Sequence, residues 1–77
     1  LKLYGSEMNE DVIRQLPNGI HSLSINYCRN MKDDYFKFLP TTLTCLKLYF
    51  LDEIKGENFN DLPSSIVCLY FCNLKSL

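Results

Sequence analysis

The chain has 77 residues, with 8 basic and 9 acidic side chains and a net charge of −1. That balance offers no electrostatic attraction to nucleic acid or to an anionic membrane surface. A compact globule of this length buries little surface and is marginal, so any stable core must come from the order of the residues.

Read from its start, the chain enters part-way through a pattern: Leu1 and Leu3 recur later as Leu23 and Ile25. From Met8 the decapeptide MNEDVIRQLP aligns with MKDDYFKFLP from Met31 and IKGENFNDLP from Ile54. The following segments, LPNGIHSLSINY, LPTTLTCLKLYF and LPSSIVCLYFCN, begin at Leu16, Leu39 and Leu62, 23 residues apart. A fixed period of this size signals a stack of supersecondary units. The units divide as a partial repeat over 1–15, repeats over 16–38 and 39–61, and a partial repeat over 62–77. Such an array escapes part of the size limit, since each unit needs only its neighbours.

Stacked in this register, the apolar residues form columns. They are Leu23, Leu46 and Leu69; Ile25, Leu48 and Phe71; Cys28, Leu51 and Leu74; Met8, Met31, Ile54 and Leu77; Ile13, Phe36 and Phe59; Leu16, Leu39 and Leu62; and Ile20, Leu43 and Ile66. These columns are the expected core, each fully buried large side chain contributing roughly 1.5–3 kcal/mol.

Around Leu23–Ile25, Leu46–Leu48 and Leu69–Phe71 the apolar period is 2, which predicts short strands with one face buried and a partial strand at residues 1–3. Equivalent strands are expected to pair in parallel, which requires a long crossover between them. Glu10–Gln15, Asp33–Phe38 and Glu57–Asp61 supply it. Each places acidic residues early, then one buried Ile or Phe, as a short helix with carboxylates near its N-terminus would. Asp33 is expected as an N-cap, and the pairs Asp33-Asp34 and Glu10-Asp11 as solvated capping groups. Pro17, Pro40 and Pro63 end these helices and force the preceding leucine extended.

Alternate strand residues and the turn after them are expected to face outward: Lys2 and Tyr4; Ser22, Ser24, Asn26 and Tyr27; Cys45, Lys47, Tyr49 and Phe50; Cys68, Tyr70, Cys72 and Asn73. Tyr4, Tyr27, Tyr49 and Tyr70 are four of the five tyrosines, and Phe50 adjoins Tyr49. Tyrosine gives large contact area with a polar tip and is favoured at interfaces. The candidate binding set is therefore Tyr4, Ser24, Asn26, Tyr27, Lys47, Tyr49, Phe50, Tyr70 and Asn73. The competing reading is that cross-strand aromatics only stabilise the sheet.

Cys45, Cys68 and Cys72 share the outward face. Cys68 and Cys72 lie roughly 13 Å apart along a strand, too far for a common zinc ion, and only Cys45 and Cys68 could approach. A Cys45–Cys68 disulfide suits parallel neighbours poorly, so free thiols and a reducing compartment are expected. No metal, cofactor, phosphate loop or nucleophile constellation is read from the sequence, and the chain is not expected to be an enzyme by itself. Its longest apolar run, Ile66–Cys72, has seven residues, against about 20 needed to span a bilayer.

The order Leu23, Ile25, Cys28, Met31, Asp33, Phe36, Leu39 resembles the cysteine-containing type of leucine-rich repeat. The recurring LPxx[IL] is similar to the repeats of secreted bacterial effectors, and Asn58-Phe59-Asn60 resembles the FNIP repeats. The chain departs from the first pattern where Leu51 and Leu74 replace the cysteine and Gly56 an acidic residue. The resemblance implies an α/β solenoid: a right-handed horseshoe segment with a parallel concave sheet and short helices on the convex side. It further implies a protein-binding module acting through the concave face, in an intracellular location, or host cytoplasm for a secreted effector. The alternatives it carries are the recognition part of a larger ubiquitin ligase or effector, and a structural spacer. The expected partner is another protein, with no nucleic acid and no membrane. The ends, at core-column residues, are expected to continue into further repeats or to self-associate.

Overall fold

The elements follow the expected order. In the computed structural model, which describes residues 1–75, β1 spans Lys2–Tyr4, β2 Ser22–Asn26, β3 Cys45–Tyr49 and β4 Cys68–Cys72. They form one four-stranded sheet in the order β1-β2-β3-β4, all pairs parallel. Leu23 pairs with Leu46 and Leu46 with Leu69, so the sequence columns are also the sheet register. Leu3 pairs with Ile25, one residue short of the 23-residue offset, because the first turn is shorter.

Each crossover returns through a short helix. The first, α1, is α-helical over Glu10–Arg14. The second and third are 3₁₀ turns over Asp33–Phe38 and Phe59–Asp61, the latter shorter than the expected 57–61. The difference traces to one cap. Asn9 Oδ1 accepts from the Val12 N–H at 2.9 Å, satisfying a donor that an α-helical start leaves open. The equivalent positions one and two periods on are Lys32 and Lys55, which cannot accept a hydrogen bond. All three turns close alike: the N–H groups of Leu16, Leu39 and Leu62 donate to the carbonyls of Ile13, Phe36 and Phe59. The Leu-Pro pairs then turn the chain back toward the sheet, where Leu43 and Ile66 donate to the carbonyls of Pro40 and Pro63.

The helical returns pack on one face of the sheet, and the core lies between. Leu23, Ile25, Leu46, Leu48, Phe36, Leu43, Leu51 and Ile54 are fully buried. Phe36, Phe59 and Phe71 form a ladder from this core outward, with centroids 5.8 Å and 5.2 Å apart. Burial fades toward β4. Leu62, expected to be buried like Leu16 and Leu39, is only partly covered, as are Ile66 and Leu74. Leu69 and Phe71 are 38% and 40% exposed. Residues of the central strands are covered by their column equals on both sides, whereas among the described residues β4 has a neighbour on one side only. Ile20 is also half-buried. Leu77, the expected last member of the Met8 column, lies outside the described residues.

Asp33 departs from its expected role. It is not the cap of its helix but is buried at 5% exposure. Its Oδ1 accepts from the Lys55 N–H at 2.6 Å, and its Oδ2 from the N–H groups of Glu57 and Asn58 at 2.9 Å and 3.4 Å. The carboxylate satisfies backbone donors of the following segment, which a buried acceptor must do to offset its lost hydration. Asp34 does stay exposed, as expected, and accepts from Asn58 Nδ2.

Candidate functional site

Strand alternation sends one set of side chains into the core and the other to the opposite face. The register aligns that second set in three rows: Ser22, Cys45 and Cys68; Lys2, Ser24, Lys47 and Tyr70; and Tyr4, Asn26, Tyr49 and Cys72. Lys47 Nζ lies 5.5 Å from the Tyr70 ring centroid, and Lys2 Nζ 5.6 Å from that of Tyr4, within cation–π range.

At the carboxyl ends of the strands the backbone turns left-handed four times, at Gly5, Tyr27, Phe50 and Asn73. The N–H groups of Gly5, Tyr27 and Phe50 donate to the carbonyls of Asn26, Tyr49 and Cys72 on the next strand, so each turn is held by its neighbour. Glycine and asparagine suit this conformation. Bulky aromatics do not, yet Tyr27 and Phe50 adopt φ of 54° and 56°.

That geometry aligns their rings. Tyr27 and Phe50 stack with centroids 4.3 Å apart and planes 6° from parallel. Tyr4 joins at 5.3 Å in a tilted contact with Tyr27. The spacing follows from the roughly 4.8 Å between strands. Tyr4, Tyr27 and Phe50 keep 64%, 47% and 39% exposure. The stack borders an open groove of about 520 Å³, also lined by Arg29, Asp52, Glu53 and Lys75. Lys75 Nζ and Asp52 Oδ1 stand 4.0 Å apart across it.

The expected site residues thus separate into groups. Tyr4, Tyr27 and Phe50 form the shelf, and exposed Asn73 holds the equivalent turn position beyond Phe50. Ser24, Lys47 and Tyr70 form a second row, with Ser24 and Lys47 half-buried and Tyr70 52% exposed. Tyr49 is half-buried and takes no place in the stack. Asn26 is a correction: it is buried at 7% exposure. It sits on the outward face, but between Tyr4 and Tyr49 in register. Its Nδ2 donates to Ser24 Oγ at 2.8 Å, so its side chain supports the surface from within. The groove walls Arg29, Asp52, Glu53 and Lys75 lie outside the set expected from the sequence. The one available signal was Asn30, a residue type tolerant of left-handed backbone, which adopts φ 61° there.

Cys28 is a buried free thiol, Cys45 a half-buried one, and Cys68 and Cys72 are exposed. Among the described residues no group of three or more His, Cys, Asp or Glu side chains is placed to hold a metal ion, and no helix is long and apolar enough to cross a membrane. Compared with protein-family models, with curated proteins and with solved structures, the chain matches none.

Proposed function

We infer that the chain is a segment of a leucine-rich repeat solenoid that binds another protein through its open sheet face. The solenoid reading is supported by parallel strands that pair in register at the 23-residue spacing of the sequence repeat. The binding reading is carried by one observation: the Tyr4–Tyr27–Phe50 stack stands exposed along the carboxyl edge of a parallel sheet. Parallel sheets are ordinarily covered on both faces, and here the helical returns cover one. Rigid aromatics lose little conformational entropy on contact and are the side chains interfaces favour. Two of them sit in a backbone conformation costing roughly 1–2 kcal/mol each, a cost that sheet stability alone does not require. Lys2, Lys47 and Tyr70 extend the surface along the strands. Cys28, Cys45, Cys68 and Cys72 as free thiols accord with a reducing compartment. This reading assigns no catalysis to these residues.

Affinity enrichment tests it with three baits: the native chain, Tyr27→Ser/Phe50→Ser, and Lys37→Glu on the helical side. A partner should be retained by the native chain and by Lys37→Glu, and lost by the double variant at unchanged circular dichroism. A partner lost with Lys37→Glu and kept by the double variant would move the binding surface to the helices.

A further inference from the structure

Cys45 and Cys68 are paired in register on neighbouring parallel strands. Their backbones are pinned at one height: Cys45 donates to the His21 carbonyl at 3.0 Å, and Cys68 to the Thr44 carbonyl at 3.0 Å. Both are free thiols, one half-buried and one exposed. In-register residues of parallel strands leave the sheet side by side, so their Cβ atoms stand apart by about the strand spacing, ~4.8 Å. A relaxed disulfide needs a Cβ separation of roughly 3.5–4.5 Å. The pair is therefore slightly too wide for an unstrained sulfur–sulfur bond. It is not too wide for an ion between the sulfurs. Metal–thiolate bonds of about 2.3 Å place two sulfurs on one ion up to about 4.6 Å apart.

We propose that Cys45 and Cys68 form a two-thiolate site for a soft, thiophilic monovalent ion of the copper(I) class. Thiolates select such ions over harder ones. Ser22, in register on the far side of Cys45, offers only a hard hydroxyl and adds no third soft ligand. Cys72, two pleats beyond Cys68, lies roughly 13 Å away along the strand and cannot share the ion. On binding, each thiol releases its proton to solvent and each sulfur donates a lone pair to the ion. The metal keeps its oxidation state, so no oxidant or reductant enters. The resulting centre carries one net negative charge. Lys47, on the same face two residues from Cys45, holds its ammonium over the Tyr70 ring.

The reduced full chain is titrated with copper(I) against the competing chelator bicinchoninate, then alkylated with iodoacetamide and mapped by mass spectrometry. The site predicts one ion per chain, protection of both Cys45 and Cys68, and alkylation of Cys72. Cys45→Ser and Cys68→Ser should each abolish stoichiometric uptake, and Cys72→Ser should retain it, with melting curves verifying the fold. Should a variant fail to fold, the protection map of the native chain still decides. No uptake by the native chain, uptake surviving in either single variant, protection of Cys72, or copper-bridged dimers on gel filtration would each overturn the proposal.

Discussion

Asp33 Oδ1 accepts the Lys55 N–H at 2.6 Å, joining two consecutive 23-residue segments through one buried carboxylate. With Glu57 and Asn58 also donating to Oδ2, the turn over residues 55–58 is shaped around this side chain. Removing it would strip the acceptor from several backbone donors at once. Hydrogen bonds to charged groups contribute about 1.5–3 kcal/mol, and unsatisfied buried donors add a penalty. Asp33→Ala should therefore destabilise by about 2–4 kcal/mol, whereas the neighbouring exposed Asp34→Ala should stay within about 0.5 kcal/mol. Urea denaturation of both variants checks this. Equal midpoint shifts would mean that the carboxylate of Asp33 does not hold the two segments together.

Burial along one column sets a second expectation. Leu46 is fully buried with a paired leucine on either side, whereas Leu1, at the outer edge of β1, is 52% exposed. Leu46→Ala should cost about 2–5 kcal/mol, the range for buried leucines. Leu1→Ala should cost less than about 1 kcal/mol, since a half-exposed side chain leaves little cavity. Thermal melts giving the same loss at both positions would contradict stacking between neighbours.

The left-handed aromatics give a third. Tyr27→Asn places there the residue type that Asn73 already supplies at the equivalent turn. The change relieves roughly 1–2 kcal/mol of backbone strain and forfeits a ring stack of about 0.5–1.5 kcal/mol. Its effect on stability should therefore fall within about 1 kcal/mol. Tyr27→Val keeps the strain and adds β-branching, and should be the more destabilising of the two. Melting temperatures that rank them the other way would show that left-handed backbone strain does not govern this turn.

Much of the sheet was legible because the sequence is periodic. Period-2 alternation marked the strands, the 23-residue offset gave the register of β2, β3 and β4, and Pro17, Pro40 and Pro63 marked the returns. What was not legible does not repeat. Asp33 has Glu10 and Gly56 at its equivalent positions, so no column announced a buried carboxylate, and its partners are backbone groups that sequence cannot display. Asn9 caps only the first helix for the same reason. Asn26 has the parity of an exposed residue, and only the size of Tyr4 and Tyr49 beside it explains its burial. The shelf was half legible. The aromatics were conspicuous, but which of them stack depends on the left-handed turns at Tyr27 and Phe50, and these brought Phe50 rather than Tyr49 against Tyr27.

The most direct measurement of the binding face is site-specific photo-crosslinking. A benzophenone side chain replaces Tyr27 in one version of the chain and Lys37, on the helical side, in another. Each is irradiated with the same partner preparation and its adducts are identified. A protein interaction through the sheet face predicts a discrete adduct from position 27 and none from position 37. An adduct from position 37 with none from position 27 would contradict it.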